Sequence, residues 1–228
     1  MQGIIAVARN NGWDYLPEPY AKQILSYAGI RTNPTVLATS EDEAVAAAAD
    51  IGYPVVLKLV SPQVVHKSDA GGVVLNISSP EQLREAFNRI ITGATEMKVP
   101  LLGVSVQKQV PPGVEMIVGA MSDKQFGPVL MFGLGGIWVE VMEDVVSRVI
   151  PLEEGDCYEM LAEIRGSKLL EGYRGTKPVH KAGLVELLLK VSQLMCDCES
   201  LIKDIDINPV IATGEGYWVV DARIGLRG

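Results

Sequence analysis

The sequence predicts an α+β protein built as two lobes, and three observations carry that expectation. Short apolar strand-like runs and capped helical segments succeed one another through residues 34–110. A second set of strands and helices fills 111–228, after a turn at Pro111-Pro112-Gly113. Hydrophobic residues make up 48% and charged residues 21% of the 228, the balance of a folded chain with a sizeable core.

Taken in order, residues 1–33 read as an N-terminal extension and a helix. Tyr20, Ile24, Leu25 and Ala28 have helical spacing within 17–29, and Gly29 is a C-cap. Pro34 to Thr39 reads as a strand. Ser40 and Glu43 have capping-box spacing before an alanine-rich helix that Gly52 and Pro54 end. Strands follow at 55–60 and 73–77, a helix from Pro80 to about Met97, and a strand at 104–110. In the second lobe, strands are expected at 115–121, 129–132, 138–142 and 145–150, helices at 154–164 and 181–195, and a closing hairpin over 203–224. Two such lobes suit a clamp on a ligand, with a hinge near 107–113.

Charge and composition exclude several function classes. The net charge of −8 argues against nucleic-acid binding, which needs clustered Lys and Arg. No apolar run reaches the ~18 residues of a membrane span, and the N-terminus lacks the basic start of a signal peptide. Three cysteines, Cys157, Cys196 and Cys198, make no disulfide framework. Cys196 and Cys198 lack the second pair of a zinc site and read as reduced thiols of a cytoplasmic protein.

The closing hairpin is the clearest chemical signal. With Gly214-Glu215 at the centre of a two-residue turn, Asn208 falls opposite Asp221. Side chains alternate along a strand, so Asp206, Asn208 and Asp221 share one face. Ile205, Ile207, Ile211, Trp218, Val220 and Ile224 share the other. Two carboxylates and an amide on one face suit Mg²⁺, which takes oxygen ligands and keeps water and phosphate in its shell. The same face also carries Val210, Ala212 and Val219, the alternative is a solvated polar face, and a bulge near Pro209 would break the pairing.

Lys58 stands within an apolar strand, VVLKLV. Burying an ammonium is costly, so it must reach water or meet an anion; phosphate is one such anion, and an edge strand with Lys58 turned outward is the alternative. The loop that follows carries His66, Lys67 and the pair Gly71-Gly72, which could bring backbone N–H groups close to phosphate. Histidine can act as a nucleophile, although a lone histidine is more often structural. His180, in a loop after Pro178, reads as inert.

Several blocks, in order, carry a resemblance: VVLKLVSPQVVHKSDAGGVVLNI at 55–77, GVEMIVGAMSDKQFGPVLMFGLGG at 113–136, KLLEGYRG at 168–175, DINP at 206–209 and VVDARI at 219–224. Together they closely resemble the β-subunit, or ATP-grasp, family of ADP-forming acetyl-CoA synthetases, relatives of succinyl-CoA synthetase. The resemblance implies an ATP-grasp fold and a role in passing phosphoryl groups between a phosphohistidine relay and ADP/ATP. It implies that Lys58 holds ATP phosphates, with Lys67, Gly71 and Gly72 nearby. Gln107 to Val110 would be the adenine hinge, and Glu115 would meet the ribose.

In the same resemblance Asn208 and Asp221 bind Mg²⁺, His66 is the family's second phosphorylated histidine, and Asp206 steers or polarises it. Succinyl-CoA synthetases lack this histidine in the equivalent loop, which disfavours succinate as the substrate. A separate CoA-binding α-subunit carrying the first phosphohistidine is implied, in an α2β2 assembly. Arg148 and Gly135-Gly136 are further candidate phosphate contacts, with surface charge and a tight turn as their plain alternatives. Two other readings stay open: an ATP-grasp phosphotransferase or ligase of another class, and a nucleotide-sensing module without catalysis.

Overall fold

Two antiparallel sheets organise the chain, each with its own hydrophobic core. The structure is a computed structural model, and it describes residues 1–64, 71–136, 144–173 and 177–227. Among these, the helices are α1 (Gln2–Asn10), α2 (Glu18–Tyr27), α3 (Glu41–Ile51), α4 (Pro80–Met97), α5 (Glu154–Glu163), α6 (Ser167–Leu170) and α7 (Lys181–Asp197). The strands are β1 (Tyr15–Leu16), β2 (Thr35–Ala38), β3 (Val55–Val60), β4 (Val73–Ile77), β5 (Gly103–Lys108), β6 (Val114–Asp123), β7 (Gly127–Leu134), β8 (Val145–Val149), β9 (Ile202–Thr213), β10 (Gly216–Val219) and β11 (Ala222–Leu226). The α+β class expected from the sequence is what forms. The expected strand at 138–142 lies outside the described residues.

One compact unit comprises residues 17–19 and 33–110. Its four-stranded sheet has the order β2-β5-β3-β4. The helices α3 and α4 form where the sequence caps them. Ser40 Oγ accepts from Glu43 N, and Ser79 Oγ accepts from Gln82 N, each satisfying a first-turn N–H. On α4, Leu83, Ala86, Phe87, Ile90 and Ala94 make one apolar stripe. That stripe packs in a core with Leu57, Leu59, Val104 and Val106 of β3 and β5. Each large aliphatic side chain so buried contributes about 1.5–3 kcal/mol. Strand β3 lies between β4 and β5, and all six of its residues are buried. Lys58 is therefore not on an edge strand.

The other unit comprises 1–16, 20–32 and 111–228. The expected N-terminal extension, 1–33, is thus divided: α1 and most of α2 pack with the second half of the chain. Its seven-stranded sheet runs β1-β11-β9-β6-β7-β8, with β10 also paired to β9. Phe132, Leu130 and Met116 of the sheet pack with Ile24, Leu25, Met160, Leu187 and Leu188 of the helices. Among the described residues, no helix is long and apolar enough to cross a membrane.

The closing hairpin has the expected register, with Gly216 opposite Thr213 and Val219 opposite Val210. Farther along, Ala222 pairs with Ile207 and Arg223 with Asp206, so Asn208 faces Asp221. The expected division into two faces is corrected. Ile205, Ile207, Ala222 and Ile224 are core residues, but so are Val210, Ala212, Tyr217 and Val219. Trp218 and Val220 are only half-buried, and Ile211 is buried outside that core cluster. The cause is a β-bulge: Val118 pairs with Ile207 and Met116 with Val210, so Asn208 and Pro209 together oppose the single residue Ile117. An extra residue inverts the alternation beyond it and re-aims the side chain at the bulge.

Candidate functional site

Both units carry chemistry-bearing side chains, and each group is built by its own sheet. In the larger unit, Asn208 is exposed on β9, two residues from exposed Asp206. Asn208 N donates to Asp221 O at 3.2 Å, which holds the two residues side by side. The Asp221 carboxylate accepts from Ala222 N at 2.9 Å. Arg223, opposite Asp206, stacks its guanidinium on the Tyr15 ring, 3.5 Å from the centroid.

The Asp206 carboxyl titrates above the ordinary carboxylate range. The surrounding protein strips it of water, and the negative charge of Asp221 adds to this, while Arg223 pulls the other way. The side chain still opens to solvent, so this is crowding by neighbouring groups rather than full burial. Among the described residues no three His, Cys, Asp or Glu side chains converge as a metal cage. Two crowded carboxylates with a neighbouring amide nonetheless suit a hard cation that completes its shell with water and phosphate oxygens. The donor set fits Mg²⁺.

In the same sheet, exposed Glu115 lies at the start of β6. Gly135 N donates to Glu115 O at 2.8 Å, and a Cβ on Gly136 would come within 2.6 Å of the Glu115 carboxylate. Gly136 has φ +63°, a conformation that favours glycine, whereas the Glu115 side chain could swing away from a Cβ. Arg148 pairs with Glu163 of α5 at 2.5 Å. His180 caps α7, its Nδ1 accepting from Gly183 N at 3.1 Å.

In the smaller unit, Lys58 is 5% exposed. Its ammonium donates to Glu18 Oε1 at 3.0 Å, and the two side chains are 6% and 1% exposed. Gln107 Nε2 donates to the same carboxylate oxygen at 2.5 Å and to Ser105 Oγ at 3.0 Å. Asn33 Nδ2 in turn donates to Gln107 Oε1 at 3.4 Å and to Lys108 O at 2.8 Å. Gln107 and Ser105 are fully buried, and Val110 is half-buried.

Gly71 and Gly72 precede β4, Gly71 at φ +64°, and Gly72 O accepts from Leu59 N at 2.7 Å. His66 and Lys67 lie outside the described residues. Sequence reasoning required water or an anion for Lys58 and did not find Glu18, because the spacing between the two residues has no local period to reveal it.

A family model for the ATP-grasp domain matches residues 7–226. The chain is 47% identical over 213 residues to acetate–CoA ligase [ADP-forming] I subunit beta of Pyrococcus furiosus, covering 92% of this chain and 91% of that one. It is 44% identical to acetate–CoA ligase [ADP-forming] II of Archaeoglobus fulgidus, a longer chain of which the match spans 30%. Among solved structures it resembles a dinucleotide-forming acetyl-coenzyme A synthetase 1 of Ca. Korarchaeum cryptofilum in complex with coenzyme A, Ca-AMPCP and HgCl+. There the TM-score is 0.96 at 45% identity, with 99% of each chain covered. Another structure of that enzyme holds coenzyme A and Mg-AMPPCP, with its phosphohistidine segment pointing towards the nucleotide binding site (TM-score 0.88, 44% identity, 99% of each chain).

Proposed function

Because the chain belongs to the ATP-grasp family, among the β-subunits of ADP-forming acetate–CoA ligases, we propose that it is the nucleotide-handling subunit of an ADP-forming acyl-CoA synthetase. The observation that carries this reading is likeness along more than nine-tenths of both chains to a named β-subunit. The reaction couples acyl-CoA, ADP and phosphate to carboxylic acid, CoA and ATP. A separate CoA-binding α-subunit works beside it, in an α2β2 assembly in the cytoplasm. The Archaeoglobus relative, with a much longer chain, supports a division of labour that this chain meets with a partner.

In this reading Lys58, Lys67 and the Gly71-Gly72 backbone hold phosphates, Gln107 to Val110 meet the adenine, and Glu115 the ribose. Asn208 and Asp221 hold Mg²⁺, whose charge offsets that of the phosphates. His66 is the phosphoryl carrier. An imidazole nitrogen of His66 attacks the phosphorus of the partner's phosphohistidine, forming one N–P bond as the other breaks. A β-phosphate oxygen of ADP then attacks that phosphorus, the His66 N–P bond breaks, and ATP leaves neutral imidazole behind. Asp206 steers the His66 ring. Such transfer is mainly positioning and electrostatics.

The test is ATP formation from acetyl-CoA, ADP and phosphate, with this chain alone, the α-subunit alone, and both. Activity only in the mixture is expected. Turnover by this chain alone would place it in another ATP-grasp class.

A further inference from the structure

The nucleotide reading leaves Glu18 without a task, yet its buried carboxylate meets the Lys58 ammonium directly. It opens α2, where a helix N-terminus favours negative charge in any case. A surface position would satisfy that preference. Instead the side chain is 1% exposed, and one oxygen, Oε1, accepts from both Lys58 Nζ at 3.0 Å and Gln107 Nε2 at 2.5 Å. Ser105 Oγ accepts from Gln107 and donates to the Lys58 carbonyl at 3.4 Å, closing the group on β3 and β5. A buried ion pair contributes little net stability compared with an apolar pair of the same shape, because desolvation offsets the attraction. Stability is thus a weak reason for this arrangement, and orientation is a better one. A lysine is a point charge on a flexible four-carbon stem, and a fixed carboxylate gives it one direction.

We propose that Glu18 is a positioning residue for nucleotide binding: it aims the Lys58 ammonium at the phosphates, and Gln107 ties that pair to the strand leading into the adenine hinge. This rests on the phosphate role of Lys58. Glu18 never touches the nucleotide; it acts through Lys58 and carries no part of the phosphoryl transfer.

The experiment is calorimetric titration of the full chain with MgADP in wild type, Glu18→Gln, Lys58→Met and the double variant, each first shown to unfold cooperatively. Glu18→Gln keeps the shape and removes the charge. It is expected to weaken ADP about tenfold, as is Lys58→Met, the scale of a lost charge-assisted contact. The double variant should bind no worse than Lys58→Met. A purely structural Glu18 would cost the same factor in both backgrounds, and that result overturns the proposal, as does wild-type affinity in Glu18→Gln. Wild-type affinity in Lys58→Met would instead remove the phosphate role of Lys58 itself. If Glu18→Gln does not fold, Glu18→Asp draws the carboxylate back by one methylene and keeps its charge. Weakened ADP binding at unchanged thermal stability then supports the proposal, and undiminished binding refutes it.

Discussion

Asn208 and Asp221 lie side by side because the hairpin register sets them opposite each other, and the Asn208 N–H meets the Asp221 carbonyl. If they hold Mg²⁺, each is worth a charge-assisted contact of about 1.5–3 kcal/mol. Asp221→Asn and Asn208→Ala should then raise the Mg²⁺ concentration needed for ADP binding by about 10–100-fold, read by titrating Mg²⁺ at fixed ADP. An unchanged requirement would remove both from the metal site. Cys157 gives a second test at this scale. Burial pushes its thiol up to about 11, so at pH 8 about one thiol in a thousand is the reactive thiolate. Iodoacetamide should leave Cys157 intact in the folded chain and alkylate it readily in denaturant; rapid labelling of the native protein would contradict its place in the core.

Among the elements, two glycines separate close packing from open helix. A Cβ on Gly133 of β7 would lie 2.4 Å from the Asp144 carbonyl, whereas one on Gly93 of α4 meets nothing within 4 Å. Gly133→Ala should destabilise by about 1–3 kcal/mol through overpacking. Gly93→Ala should stabilise by about 0.5–1 kcal/mol through helix propensity. Denaturant midpoints measure both, and equal shifts would contradict the sheet packing.

Much at this scale was legible in the sequence. Pro80 and Met97 bound α4 as expected, and the Thr213–Gly216 turn set the register that brings Asn208 to Asp221. The faces were misjudged because strict alternation cannot show a bulge: the extra residue becomes visible only against β6, where Ile117 alone opposes Asn208 and Pro209. Helix α1 was missed for a related reason. Its two buried residues, Ile5 and Ala8, are too few to outline an apolar face, and Ala8 packs in the core of the larger unit, built mostly by residues after 110. The lysine in β3 announced a need for water or an anion; only the fold supplied Glu18.

At the scale of the whole molecule, two cores share no residue. A ligand that binds only the folded chain stabilises it by about 2.7 kcal/mol at a hundred times its dissociation constant. For a chain of this size that is a rise of about 5–10 °C in the unfolding midpoint. Differential scanning calorimetry with MgADP should show that rise, and chelating the metal or introducing Asp221→Asn should reduce it. No shift with MgADP would mean that the nucleotide site is not formed.

In the proposed function this chain receives and passes on a phosphoryl group through His66. The most direct measurement of this is transfer of label from γ-phosphate-labelled ATP onto this chain in the presence of the α-subunit and Mg²⁺, for wild type and His66→Ala. The expected result is an acid-labile, base-stable label on this chain that is absent from His66→Ala, together with loss of synthetase activity. Equal labelling and full activity in His66→Ala would contradict it.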